Sequence, residues 1–152
     1  MKDHGKIAEE LFYEGYNCSQ AVLLAFEDLT GLEKKTAAML SSSFGGGLGR
    51  MREVCGAVSG AVMVLGLFKG YSDPKSHSEK VAHYRLIQDF AARFKKKNGS
   101  IICRDLLNGV AKEGLIPEER TKEFYQKRPC PALVRQAAEI VDEMLGETMS
   151  SS

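Results

Sequence analysis

Apolar residues recur along the chain at the three- and four-residue spacing of helices, and nowhere with the strict alternation of a half-buried strand. Ile7, Leu11 and Phe12 form one face of a first helix, with Asp3 ahead of it as N-cap. Asn17 caps a second helix that carries Val22, Leu24, Ala25, Phe26 and Leu29, and a short helix runs from about Glu33 to Leu40. Ser41 to Gly49 (SSSFGGGLG) reads as irregular and feeds a helix from about Glu53 to Lys69. Asp73-Pro74 opens the longest helix, with Tyr84, Ile87, Ala91 and Phe94 as its inner stripe. Ser100 caps a brief helix containing Cys103, Leu106 and Leu107, and Pro117 opens another. The last helix begins around Pro131 and buries Leu133, Val134, Ala137, Ile140, Val141 and Met144. Gly15, Gly31, Gly70, Gly99, Gly109 and Gly146 end these stretches. The pattern predicts an all-α bundle of about six to eight helices, one domain over residues 1–147 without internal repeats, followed by a frayed tail at 148–152.

Composition narrows what such a bundle does. The chain has 152 residues, 43% hydrophobic and 27% charged, enough for one core without disulfide staples. With 21 basic residues against 20 acidic ones there is no basic stripe to grip nucleic acid. The longest uncharged run, Val54 to Phe68, is shorter than the roughly 20 residues of a membrane span and reads as a buried helix. The beginning, MKDHGKIAEELF, carries charge where a signal peptide needs an apolar run, so the expected location is the cytoplasm and no membrane insertion is expected.

Four cysteines carry the chemistry. In a reducing cytosol they are free thiols, metal ligands or redox centres rather than structural disulfides. Cys18, Cys55, Cys103 and Cys130 each fall at or near a predicted helix start, with Cys130 at the cap position before Pro131. The positive end of a helix dipole stabilises a thiolate there. Burial as small hydrophobes is the plain alternative, and no C-x-x-C pair is present.

The motif Cys55-Gly56-Ala57-Val58-Ser59-Gly60, with Cys18 in NCSQAV, Cys103 in CRDLL and Cys130 in CPALVRQAAEIV, resembles the redox-active family named for its C-GCAxxG-C-C pattern. The resemblance runs from about Gly15 to Val141. It implies a helical redox domain with Cys18, Cys55, Cys103 and Cys130 as the functional positions. A related domain occurs in split-Soret cytochromes c, to which an iron–sulfur centre is ascribed. No C-x-x-C-H is present, so covalent haem is not implied.

Gly56 and Gly60 stand four residues apart on one helix, which lets a second backbone approach closely. The loop Gly45-Gly46-Gly47-Leu48-Gly49 lacks the context of a nucleotide motif; its amides could make an anion-binding nest near Cys55, beside Arg50 and Arg52, although flexible loop and solvated arginines are the commoner readings. His4, His77 and His83 read as surface histidines, with His83 the one to check as a ligand, and Lys95–Lys97 as a solvated helix end. Ser59 has no base partner, and the Glu-x-x-His motifs of di-iron bundles are absent. Three functions stay open on this reading. One is an electron-transfer protein with four cysteines on an iron–sulfur cluster, served by a redox partner protein. Another is a dithiol–disulfide oxidoreductase, and the third a structural four-cysteine zinc domain that binds a partner. A homodimer is possible in any of them.

Overall fold

Local capping starts the first two helices where the sequence places them. In the computed structural model, which describes residues 2–110 and 114–150, the Asp3 carboxylate accepts a hydrogen bond from the Lys6 amide at the start of α1 (His4–Tyr13). Asn17 and Gln20 form a full capping box on α2 (Cys18–Ala25): Asn17 Oδ1 accepts from the Gln20 amide at 2.9 Å, and Gln20 Oε1 from the Asn17 amide at 3.1 Å. The predicted second helix breaks at Phe26, and a one-turn α3 (Glu27–Thr30) leaves Leu29 exposed. Helix α4 (Lys34–Ser41) runs into a 3-10 turn at Ser42–Phe44. Beyond the glycine loop come α5 (Gly56–Lys69), α6 (His77–Asn98), α7 (Cys103–Leu107), α8 (Lys122–Lys127) and α9 (Cys130–Ser150).

The described residues thus hold nine α-helices and no strand, an all-α fold. The count exceeds the expected six to eight because the break at Phe26 makes a separate α3. Several boundaries differ from expectation for identifiable reasons. Helix α9 continues through Gly146 to Ser150, so Gly146 does not end it; its buried residues run from Cys130 to Met144. The expected frayed tail therefore begins inside this helix, and residues 151–152 lie outside the described set. Helix α6 starts at His77, three residues beyond Pro74; its buried residues are Phe90 and Phe94, whereas Tyr84 is exposed and bonds Tyr71 Oη at 2.7 Å. Ser100 does not cap α7. Its hydroxyl accepts from the Ile102 amide and donates to Asp105, and Ile102 holds the cap position. Thr121, not Pro117, starts α8 by accepting from the Phe124 amide.

The core is a layer of α1, α2, α5 and α9 with α6 laid against α5 and α9. All six inward positions predicted for α9, from Leu133 to Met144, are buried. His4, expected at the surface, is 1% exposed. Its ring stacks on Phe26 at 4.1 Å, with Nδ1 2.8 Å from Asp142 Oδ1 and Nε2 3.0 Å from Asp28 Oδ1. Both nitrogens are thereby occupied in tying α1 to α3 and α9, which makes His4 a clamp rather than a ligand. His77 is exposed, and His83 lies half-buried beside Tyr71, so neither belongs to a cysteine-containing site. Among the described residues, no helix is long and apolar enough to cross a membrane.

Candidate functional site

The four cysteines arrive at one cavity from four segments. Cys18 is the first residue of α2, Cys103 of α7 and Cys130 of α9, whereas Cys55 is the N-cap of α5. Cys130 is therefore inside its helix, one step past the expected cap position. Each segment is anchored separately. Asn17 Nδ2 donates to the Ser42 carbonyl and Gln20 Nε2 to the Ala38 carbonyl, holding the start of α2 against α4 and the 3-10 turn. Cys55 and Cys103 are joined through backbone. An isolated antiparallel bridge pairs Val54 with Ile102; the Cys55 amide donates to Ile101 at 2.8 Å and the Cys103 amide to Glu53 at 2.6 Å. One bridge leaves no alternating signature, so the sequence could not announce it.

The resulting cavity measures about 320 Å³ and is lined by Cys18, Cys55, Cys103 and Cys130 together with Gly45, Gly46, Gly47 and Gly56. Apolar walls come from Phe12, Leu106, Leu107, Phe124 and Leu133, and charge from Arg50, Arg52, Glu118, Arg120 and Arg128. Gly60 is not part of the lining; it packs one turn away, where a Cβ would lie 2.6 Å from the Ser19 carbonyl of α2. Gly56 serves the cysteines more directly, since a Cβ there would meet Cys18 Cβ at 3.0 Å. Gly47 has φ +72°, and its Cβ would meet Cys103 Cβ at 2.7 Å, so only glycine fits between the loop and α7. These three glycines let backbone and thiols share a space that side chains would fill.

The glycine loop is more constrained than a flexible linker. From Gly46 to Arg50, and again at Arg52, every φ lies between +55° and +72°. For Leu48, Arg50 and Arg52 that conformation costs about 1–2 kcal/mol each. The amides of Leu48, Gly49, Arg50, Arg52 and Glu53 all donate to carbonyls of residues 43–47. These five amides are spent within the loop. What the strained backbone does deliver is arginine: Arg52 is only 5% exposed and points Nη1 at Cys103 Sγ, 3.9 Å away. Arg50 donates to the carbonyls of Gly114 (2.6 Å) and Ile116, strapping residues 114–117 beside the cavity. Burial and the charge of Arg52 pull the Arg50 pKa down, the mark of crowded positive charge. Arg128 bonds Glu118 at 2.6 Å and lies 4.6 Å over the Phe124 ring; Arg120 lies 4.3 Å over Phe12 and donates to the carbonyls of Phe12 and Tyr16. The sequence signal for this set was weak, because Arg120 and Arg128 sit in a segment with little apolar periodicity.

The thiols are not equivalent. A hydrogen bond from Cys18, joined by the charges and contact of Arg128 and the charge of Arg120, brings Cys130 down to about 7 against the opposing effect of burial. The same hydrogen bond, with burial, pushes Cys18 well above the ordinary thiol range. Burial pushes Cys55 up to about 12 despite hydrogen bonding from the Ala57 and Val58 amides of α5. Cys103 is raised by burial and held back by Arg52. All four are free of disulfides. Among the described residues, no group of three or more His, Cys, Asp or Glu could hold a metal ion.

No curated protein and no solved structure matches the chain. A family model does, over residues 16–144, and that span contains all four cysteines and the glycine motif. The chain belongs to the family described as "Putative redox-active protein (C_GCAxxG_C_C)".

Proposed function

We propose that this chain is an electron-transfer domain in which Cys18, Cys55, Cys103 and Cys130 together hold an iron–sulfur cluster. The observation that carries the reading is the 320 Å³ cavity bordered by all four thiols. The donor chemistry fits: four sulfurs are the ligand set of such clusters. A cluster spans the space between its thiolates and needs a cavity of this kind.

When bound, the cluster supplies a one-electron couple. The chain's own residues set its surroundings. Arg50, Arg52, Arg120 and Arg128 bring four positive charges to the lining against Glu118, which offsets the negative charge of thiolate ligands. Arg52 and the α5 amides hydrogen bond to Cys103 and Cys55, and such bonds raise a reduction potential. Phe12, Leu107, Phe124 and Leu133 limit water. Electrons come from and go to a separate partner protein. The reading requires a reducing compartment such as the cytoplasm, where free thiols persist.

Anaerobic purification followed by iron, sulfide and visible-absorption analysis tests the proposal. The expected result is a coloured protein whose iron and sulfide fall together when any one of the four cysteines is changed to alanine. Colourless protein that takes up neither iron nor sulfide on anaerobic reconstitution overturns it, and one bound zinc per chain points to the structural alternative.

A further inference from the structure

The lining of the cysteine cavity carries an excess of positive charge. Among the described residues, Arg50, Arg52, Arg120 and Arg128 face it against one carboxylate, that of Glu118. Arg52 is 5% exposed and Arg128 9%, so water screens neither well, and buried charge calls for a partner of opposite sign. Arg120 is committed to the carbonyls of Phe12 and Tyr16 and to the face of the Phe12 ring. Glu118 is the anion that the fold itself supplies. Its Oε1 lies 2.6 Å from Arg128 Nη2 and 3.8 Å from Arg50 Nη2, so two guanidiniums converge on one oxygen. That convergence is the geometry by which arginines take a phosphate or carboxylate group. Glu118 belongs to the irregular stretch between α7 and α8, where no helix hydrogen bonds hold its backbone in place. The rest of the lining includes Phe12, Leu107 and Leu133, and the volume of about 320 Å³ falls at the small end of the roughly 300–1,000 Å³ typical of ligand pockets.

We propose that the metal-free cavity binds a small oxyanion, a phosphate or carboxylate group, between Arg50 and Arg128 in place of the Glu118 carboxylate. The ligand takes over donors that Glu118 now engages, and Arg52 adds to the field that draws it in. Glu118 is thereby an intramolecular competitor that sets the affinity. Binding is non-covalent and leaves the four cysteines unchanged, so the proposal does not depend on the cluster reading.

The experiment follows thermal unfolding of the reduced, metal-free full-length chain in rising potassium phosphate or potassium acetate, each against potassium chloride at equal ionic strength. The expected result is a saturable rise in Tm beyond that in chloride. A response to phosphate alone assigns a phosphate group, and one to acetate alone a carboxylate. Glu118→Gln removes the competing charge and should lower the midpoint concentration about tenfold. Arg128→Gln should abolish the rise, whereas Arg93→Gln, a surface guanidinium bonded to Asp89 and Glu147, should leave it unchanged. A purely structural Glu118 would weaken the fold on substitution without tightening the anion response. Equal rises in chloride and both oxyanions, or a midpoint that Glu118→Gln does not lower, overturns the proposal. Should Arg128→Gln fail to fold, the Glu118→Gln midpoint decides alone. Iron and sulfide loading is scored separately: a chain that loads no cluster yet shows the oxyanion response loses the cluster reading and keeps this site.

Discussion

Gly60→Ala tests whether the contact between α2 and α5 holds the cysteine cavity together. An alanine Cβ at this position would lie 2.6 Å from the Ser19 carbonyl oxygen and 3.0 Å from Val22 Cβ. A carbon reaches a carbonyl oxygen comfortably at about 3.3 Å, so α2 must retreat by roughly 0.7 Å. The obstructing atom is backbone and cannot rotate aside. Overpacking of this kind costs about 1–3 kcal/mol, here toward the upper end, while helix propensity returns up to about 1 kcal/mol. The net expectation is a loss of about 1–2 kcal/mol, a fall of roughly 3–6 °C in Tm for a chain of this size. Gly66→Ala is the matched control. It lies in the same helix with nothing within 4 Å of its Cβ, so it should stabilise by up to about 1 kcal/mol. The assay is reversible chemical denaturation of the reduced, metal-free protein followed by circular dichroism. A Gly60→Ala protein as stable as Gly66→Ala would refute the reasoning.

Four further outcomes follow from the same geometry. His4→Leu leaves Asp28 and Asp142 without their shared partner; with both carboxylates a fifth exposed, the cost should be about 2–3 kcal/mol by denaturation, partly recovered by adding Asp142→Asn. Cys55 is raised from 9.0 to about 12, so the folded state favours its thiol; the contribution, of order 4 kcal/mol, is complete below pH 9 and lost as pH climbs through 12. Cys55→Ala should therefore flatten the alkaline limb of the stability–pH curve, and an unchanged limb counts against a buried thiol there. In the metal-free protein, alkylation of Cys130 should rise through a midpoint near pH 7, while Cys55 stays unreactive well beyond it. Arg128→Gln should move the Cys130 midpoint upward by removing a favourable charge, as read from iodoacetamide rates across pH, and an unmoved midpoint would show that Arg128 does not act on that sulfur.

The amino-acid sequence by itself determined the helices and the outlines of the chemistry. Asp3 and the Asn17–Gln20 box act within four residues of themselves, and the inner face of α9 is a periodic pattern, so each is legible without knowing the rest of the chain. The placement of cysteines at helix starts and the closeness implied by Gly56 and Gly60 are of the same local kind. Tertiary structure alone decided what meets what. Cys55 lies beside Cys103 because one backbone bridge joins segments 48 residues apart, counting from Val54 to Ile102. Arg52 turns inward because a left-handed loop, locally unfavourable, is paid for by contacts elsewhere. His4 is buried because its two carboxylates come from positions 28 and 142. Local hydrogen bonds and side-chain periodicity are written in adjacent residues, whereas a cavity shared by four segments depends on long-range packing that no single segment encodes.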